Sequence, residues 1–292
     1  MFSDAWVLQT AAGLANGFIY ASLALALVMI HRTTHHINFA QGEMATLSTF
    51  LAWSLMQAGL PLVLALALTL VLSLIMGVVV HRLCLRPVER APLLTQVMVF
   101  VGLLMVFHAF MSWQWGHMLK GFASPFPQQG LAALPWWTGH QLGVVAVTLV
   151  MMAWVYVFFR FTRWGLALRA AAQHPEAARW LGLPVSWMLA WGWGLAAMVG
   201  AVAGVLIAPM VYLEPNMMMN VLLYAFAAAV LGGLNSPPGA VLGGLVVGVL
   251  DNWLGAFVVG HELKQPMALL LIVLVLALRP QGLLGTAPGR AH

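Results

Sequence analysis

The chain has 292 residues, of which 63% are apolar and 7% charged, and its formal net charge is +5. A water-exposed surface usually needs about a quarter charged residues, so the composition excludes an ordinary soluble protein and predicts an all-α polytopic integral membrane protein. The twelve Lys and Arg residues stand at the ends of apolar segments and form no stripe, which argues against a nucleic-acid partner. The single cysteine, Cys84, excludes an internal disulfide.

Apolar runs of about 20 residues predict the membrane-spanning helices. Such runs lie at 6–30, 38–57, 61–81, 93–113, 141–161, 187–213, 221–234, 238–257 and 264–279. The first is interpreted as a retained span, because its apolar run is too long for a signal peptide. The short run at 221–234 is separated from 238–257 by Gly- and Pro-rich residues, so these two are predicted to form a broken or re-entrant hairpin. The prediction is eight or nine spans in one permease domain over residues 1–292.

The positive charges predict the orientation of these spans. One side of the membrane receives Arg32, Arg82, Arg86, Arg90, Arg160, Arg163, Arg169, Arg179, Arg279 and Arg290, and the other receives Lys120 and Lys264. Because cytoplasmic loops carry the excess of positive charge, we expect the N-terminus outside, the C-terminus in the cytoplasm and an odd number of crossings. The Trp- and Pro-rich stretch 114–140 is then the one long external loop, interpreted as an interfacial lid.

A polar segment at 163–186 interrupts the apolar runs on the cytoplasmic side. Pro175 suits the first turn of a helix and Gly182 suits a left-handed stop, so Glu176 to Leu181 is predicted to be a short capped helix. Ala177, Trp180 and Leu181 fall on one stripe, with Trp180 expected to be buried in the fold or by a partner, and Glu176 and Arg179 are expected to pair on another side. The segment fits a groove on a partner protein; the alternative is a solvated loop.

Two acidic residues, Glu43 and Asp251, lie inside predicted spans, where a charge is costly. For Glu43 we expect Asn38 to cap the helix and Gly42 to allow close packing; the alternative role is a charge that meets the helix dipole. For Asp251, which follows a glycine-rich face, the alternative is tight helix packing alone. Candidates for the translocation pathway are Asn38, Phe39, Gln41, Gly42, Glu43, Gly232, Gly233, Asn235, Pro238, Gly239 and Asp251.

Catalytic and metal sites are not predicted. His31 and His35 have the spacing of a helical pair beside His36, but Arg32 and the lack of a nearby acidic ligand argue against a metal. The sequence contains neither a Gly-x-Ser-x-Gly nor a His-Glu-x-x-His motif, and no phosphate-binding Gly-x-x-x-x-Gly-Lys-[Ser/Thr] loop. We therefore expect any ATP to be used by a partner.

Four segments resemble the permease subunits of ATP-binding-cassette importers for branched-chain amino acids, in particular the shorter of the two permease types. They are residues 13–27 (GLANGFIYASLALAL), residues 37–43 (INFAQGE), residues 165–182 (GLALRAAAQHPEAARWLG), and residues 225–244 (AFAAAVLGGLNSPPGAVLGG) together with 278–285 (LRPQGLLG). The stretch 114–140 has no counterpart in this pattern. Because the motifs serve fold and coupling, substrates such as urea, short amides or other amino acids remain an alternative.

The resemblance implies partners: a homologous second permease, two cytoplasmic ATPases that use ATP and Mg²⁺, a periplasmic substrate-binding protein and membrane lipid, in a bacterial inner membrane. It also implies that the 163–186 segment docks on an ATPase. The residues it assigns to this coupling are Arg169, Pro175, Glu176, Ala177, Ala178, Arg179, Leu181 and Gly182. Two rivals are an ion-coupled secondary transporter that uses Glu43 and Asp251, and a membrane enzyme that uses the histidines.

Overall fold

The structure is a computed structural model that describes residues 2–34, 36–89, 91–131, 134–258, 260, 263–279 and 281–285. Arg90 and Arg290, which enter the orientation prediction, and His35 lie outside the described residues. The described chain forms eleven α-helices: α1 Phe2–Thr34, α2 Gln41–Gln57, α3 Leu62–Val80, α4 Leu93–Trp115, α5 Gly139–Phe161, α6 Arg163–Gln173, α7 Pro175–Trp180, α8 Val185–Val211, α9 Met217–Gly232, α10 Pro237–Phe257 and α11 Lys264–Leu278. The all-α polytopic prediction is confirmed, since each of the nine predicted spans coincides with a helix.

Six of the helical segments in the described chain are long and apolar enough to cross a membrane. They contain α1, α3 with the turns that follow it, α4, α5, α8 and α10. The helices α9 and α11 are apolar but have 16 and 15 residues, and α2 has 17. At a rise of about 1.5 Å per residue these three are each near 25 Å long, a little less than the hydrocarbon core.

Helix ends follow the local sequence. The α3 helix passes into a π-helical turn at His81–Leu85 and a 3₁₀ turn at Arg86–Val88, where Pro87 removes a backbone donor. Thr162 caps α6 by accepting a hydrogen bond from the Gly165 amide at 3.0 Å. The amphipathic helix α6 was not predicted, although Thr162 is a typical cap and the spacing of its apolar residues is helical.

The predicted external loop 114–140 is shorter in the structure, because α4 continues to Trp115 and α5 begins at Gly139. It contains a small antiparallel hairpin, β1 Gly130–Leu131 and β2 Leu134–Thr138, which the sequence analysis did not anticipate. Its first part is fixed by a backbone pair in which Lys120 and Leu213 exchange hydrogen bonds of 3.0 and 2.9 Å. The role of the loop as a lid stays a prediction.

The chain divides into two compact units. The first, called the terminal unit, comprises residues 1–28, 123–149 and 220–292. The second, called the central unit, comprises residues 29–122 and 150–219. In the central unit α8 packs against α2, α3 and α6. In the terminal unit α1 and α10 meet through small residues, since a Cβ on Gly13 would lie 2.9 Å from the Cα of Val249.

Candidate functional site

The predicted coupling helix is present as α7. Pro175 is its first residue, where its missing N–H is not needed, and Gly182 has a left-handed φ of 78° just beyond its end. The Leu183 amide donates to the Ala178 carbonyl at 3.0 Å, which closes the helix end. The cap-and-stop prediction for residues 175–182 is therefore confirmed.

The outer surface of α7 differs from the prediction in one way, the pairing of its charged residues. Ala178, only 2% exposed, anchors the helix, whereas Trp180 and Leu181 are 90% and 80% exposed. Trp180 was expected to be buried in the fold or by a partner; within this chain its indole points away from the fold, which leaves it open to a partner, because Ala178 occupies the inward position. The predicted pair of Glu176 and Arg179 is not formed: no ion pair joins them in the described part of the chain, and both side chains are exposed to solvent.

Two further coupling candidates lie on α6 and on α7 itself. Arg169 lies on α6, and its Nε is buried without a hydrogen-bond partner among the described residues. Ala177 is exposed on α7 beside Trp180. The coupling candidates thus lie on two consecutive short helices that precede α8, with Trp180 and Leu181 at the surface.

The segment Asn38 to Glu43 forms a tight turn into α2 within the central unit. Asn38 was predicted to cap α2, and this prediction is wrong. The N-cap residue is Ala40, whose amide donates to Asn38 Oδ1 at 3.0 Å in the turn before the helix. Asn38 Nδ2 donates to Gln41 Oε1 at 3.2 Å, and Gln41 Nε2 donates to the Ala196 carbonyl in α8 at 3.1 Å. These bonds satisfy polar groups in an apolar interior.

Glycine in α8 makes this turn possible. A Cβ on Gly200 would lie 2.5 Å from Gln41 Nε2. Asn38 and Gln41 are fully buried and Gly42 is buried beside them, whereas Phe39 is 38% exposed. Of these pathway candidates, Phe39 is the one that presents its side chain at the surface of this unit.

Glu43 lies near the start of α2 and is 8% exposed. Its Oε1 is 3.6 Å from His108 Nδ1 in α4, and its Oε2 has no hydrogen-bond partner among the described residues. His108 was not predicted as a partner of Glu43. The available signal was a histidine within an apolar span, where a polar group needs a partner.

The Gly232–Gly239 segment joins α9 to α10 in a helical hairpin of the terminal unit. Gly233 has a φ of 104°, and Ser236 caps α10 by accepting a hydrogen bond from the Gly239 amide at 3.1 Å. Gly232 and Gly239 pack backbone against backbone. The start of the first arm is corrected, because α9 begins at Met217, four residues before the predicted start; with 16 residues α9 is nevertheless shorter than the six long spans, as predicted, whereas α10 is long enough to span.

The structure brings the C-terminal motif to this same hairpin. The Leu283 amide donates to the Leu231 carbonyl at 2.7 Å, and the Leu284 amide donates to the Gly232 carbonyl at 3.1 Å. Gly282, with a φ of 74°, packs against Gly233. Asn235 and Pro238 lie at the exposed tip of the hairpin. Residues 231–239 and 281–285 thus form one structural feature of the terminal unit.

Asp251 in α10 is buried and forms an ion pair. Lys264 Nζ, at the start of α11, lies 3.4 Å from Asp251 Oδ2, with the Asp251 and Lys264 side chains 6% and 17% exposed. The Tyr20 hydroxyl lies 3.5 Å from the same oxygen, and the Tyr20 and Tyr224 rings stack at 5.0 Å. Lys264 and Tyr20 were missed, although a lysine a few residues beyond the end of the α10 span is a natural partner for a buried carboxylate.

The two sets of pathway candidates therefore lie in different compact units. Asn38 to Glu43 belong to the central unit, and Gly232 to Gly239 with Asp251 belong to the terminal unit. His31 and His36 were weighed as metal ligands, with His35 outside the description. The described residues contain no group of three His, Cys, Asp or Glu side chains placed to hold a metal ion.

The sequence matches the family described as "Branched-chain amino acid transport system / permease component" over residues 9–277. The chain belongs to this family. The resemblance found in the four sequence segments is thereby confirmed, and the chain is a multi-pass membrane permease.

Curated relatives cover nearly the whole of this permease. It is 28% identical to the high-affinity branched-chain amino acid transport system permease protein LivH of Escherichia coli (strain K12), covering 94% of this chain and 93% of the relative. It is 29% identical to the corresponding protein BraD of Pseudomonas aeruginosa, covering 95% of both chains. Among solved structures it is similar to PsaBC from Streptococcus pneumoniae in complex with Fab, with 14% identity, a TM-score of 0.46, and 96% and 92% of the two chains covered.

Proposed function

We propose that this permease is the membrane-spanning subunit of an ATP-driven importer that carries branched-chain amino acids across a bacterial inner membrane. Its curated relatives are named for high-affinity branched-chain amino acid transport, which supports this substrate class. The partners are a homologous permease, two cytoplasmic ATPases that bind ATP and Mg²⁺, and a periplasmic binding protein. The N-terminus lies outside and the C-terminus in the cytoplasm.

The observation that carries the coupling role is the exposed outer surface of α7. Trp180 and Leu181 are 90% and 80% exposed on a short helix whose inward residue, Ala178, is buried. Large exposed apolar side chains on a capped helix suit docking in a groove of a partner. Closure of the ATPases on ATP pushes on α7, and the spans rock to alternate access, as in other two-state transporters.

The buried charges support an ATP-driven mechanism over the ion-coupled rival. Asp251 is already paired with Lys264 at 3.4 Å, and Glu43 faces His108 at 3.6 Å. A carboxylate that carries a coupling ion needs to release its protein partner when the ion binds. The Asn38–Glu43 turn and the Gly232–Gly239 hairpin remain our candidates for the walls of the translocation pathway, because helix ends can present polar backbone groups to a polar solute.

Reversing one charge on α7 tests the coupling role. Glu176 is the one acidic residue in the 163–186 segment, and Glu176→Lys makes that surface wholly basic. We expect leucine uptake by the reconstituted importer to fall at least about tenfold, because repulsion at a docking surface disfavours the assembled state. Copurified ATPase and ATP hydrolysis stimulated by the binding protein are measured in the same preparation.

The matched control is Glu214→Lys, the same charge reversal beyond the opposite end of α8. Uptake by this variant is expected to stay near wild type. Normal uptake and normal ATPase retention in Glu176→Lys would refute the coupling role. A wild-type complex that couples ATP hydrolysis to another solute but ignores leucine would keep the importer class and redirect the substrate to urea, amides or other amino acids.

A further inference from the structure

A cavity of about 310 Å³ lies within the central unit, next to the coupling helix. Its walls come from the end of α1, the π-helical turn after α3, the start of α4, the α6–α7 connection and α8. Pro175 and Arg179 of α7 are part of the wall. Its volume lies at the lower end of the range found for small-molecule pockets, which suits a small metabolite.

Three residues that line this cavity carry buried polar atoms without hydrogen-bond partners among the described residues. They are Trp193 Nε1, His81 Nδ1 and Gln96 Oε1, and the three residues are 0%, 3% and 6% exposed. The Gln96 amide is oriented by its Nε2, which donates to the carbonyls of Glu89 and Ala91 at 3.1 and 3.0 Å. Buried polar groups are rarely left unpaired, so the residues that form the walls keep unused donor and acceptor capacity just behind the cavity surface.

The charged side chains of the cavity have a distinct pattern. Arg86 and Arg179 supply two guanidinium groups and Glu89 supplies one carboxylate, all three exposed to solvent at the rim. No ion pair joins these three residues in the described part of the chain. Leu85 and Leu189 add buried apolar wall. Guanidinium groups bind carboxylates, a carboxylate binds an ammonium group, and the apolar wall accepts a hydrocarbon side chain.

We propose that this cavity binds a free α-amino acid with an apolar side chain, and that its occupancy holds α7 against the spans and slows the transport cycle. The ligand carries the carboxylate, ammonium and hydrocarbon groups that the rim and walls complement. The regulatory half rests on the proposed function, because the imported amino acid is then the ligand that accumulates on the α7 side.

The physical basis of this regulation is that one ligand contacts elements that must move separately. The cavity is shared by α7 and the π-helical turn at His81–Leu85, and π-helical turns are local departures from regular helix that often occur at functional sites. A ligand that contacts both α7 and the π-helical turn favours the arrangement in which both elements face the ligand. By linkage, the arrangement that binds the amino acid is stabilised and the others are depleted.

Direct binding is tested first on the assembled importer in lipid nanodiscs, without the binding protein, with radiolabelled L-leucine as the probe. Arg86→Gln removes one guanidinium from the rim, and Val88→Trp fills the cavity. Each is expected to weaken the binding at this site at least about tenfold. The matched controls are Arg82→Gln and Val79→Trp, which alter neighbouring residues that do not line the cavity.

Regulation is tested in proteoliposomes, which keep the two sides apart, by adding L-leucine on the ATPase side while measuring ATP hydrolysis stimulated by the loaded binding protein. We expect hydrolysis to fall about fivefold or more in the wild type and in both controls, and to be unaffected in Val88→Trp. L-leucine binding that Val88→Trp and Arg86→Gln leave unchanged would show that the cavity holds water only and overturn the inference. Binding without any change in hydrolysis would overturn its regulatory half.

The same complex in proteoliposomes, where uptake into a closed lumen is measured, separates this inference from the proposed function. Leucine uptake with no cavity-dependent binding refutes the cavity ligand and leaves the importer assignment standing. Cavity-dependent binding of leucine in a complex that does not import leucine supports the cavity ligand and refutes the proposed substrate.

Discussion

At the scale of single residues, the buried ion pair between Asp251 and Lys264 explains how a charge lies within an apolar span. A lone carboxylate in hydrocarbon costs several kcal/mol, and an opposite charge 3.4 Å away offsets part of that cost. Tyr20 adds a hydroxyl 3.5 Å from the same carboxylate oxygen. The intact pair therefore adds little net stability, whereas removing one partner is expected to destabilise the fold strongly.

Breaking the pair by Lys264→Met leaves Asp251 buried without its cation. We expect the free energy of unfolding to fall by about 3–5 kcal/mol, as for other buried pairs that lose one partner. The double variant Asp251→Asn/Lys264→Met removes both charges and is expected to recover most of that loss. Thermal unfolding of the purified permease in one detergent measures both; equal loss in the single and double variants would contradict the prediction.

At the scale of elements, glycines determine how closely the helices of the central unit approach. A Cβ on Gly77 in α3 would lie 2.5 Å from the carbonyl oxygen of Trp193 in α8, which no side-chain rotation relieves. Gly204 in α8 packs similarly against Thr49 and Ala45 of α2. Small residues take this role in membranes because there is no hydrophobic driving force between helices and packing must be close.

Gly77→Ala is therefore expected to push α3 from α8 and to destabilise the permease by about 1–3 kcal/mol. The matched control is Gly102→Ala in α4, where a Cβ meets nothing within 4 Å. The control should be neutral or slightly stabilising, because alanine favours helix over glycine by about 0.5–1 kcal/mol. Detergent-solubilised variants are compared by thermal unfolding, and similar shifts for both would show that α3 does not depend on this contact.

At the scale of the whole molecule, the number of crossings and the charge asymmetry lead to one orientation. If α2, α9 and α11 cross together with the six longer spans, the described chain crosses nine times. That odd number predicts that the two termini lie on opposite sides, and the ten arginines against two lysines predict that the α7 side is cytoplasmic. The proposed coupling role requires this same orientation, since the proposed ATPase partners are cytoplasmic.

Cysteine labelling tests the orientation, because Cys84 is the single native cysteine and is replaced by serine to give a blank background. Ala58→Cys lies just after α2, and Leu181→Cys lies just after α7; both positions are exposed. In intact cells expressing the permease without its partners, we expect an impermeant maleimide to label Ala58→Cys and to label Leu181→Cys only after lysis. The reverse pattern would invert the whole topology.

Sequence patterns predicted the elements of this protein well. Nine apolar runs coincide with nine helices because hydrocarbon thickness and backbone hydrogen bonding leave the chain few alternatives to helix. The ends of α7 followed from Pro175 and Gly182 because caps and stops act within a few residues. The starts of α2 and α9 were misplaced, since Asn38 bonds to the turn before the helix and Met217 continues the apolar pattern of α9.

The partners of the polar groups required the tertiary structure. His108 for Glu43, Lys264 for Asp251 and the Ala196 carbonyl for Gln41 come from other helices, and no local pattern specifies which helix faces which. The outward position of Trp180 and the contact of residues 283–284 with the α9–α10 hairpin were undecided for the same reason. The sequence by itself determined the membrane class, the helices and the family resemblance, because these depend on composition and local period. The tertiary structure decided which charges are paired, which surfaces stay open and where a cavity lies, because these depend on long-range packing.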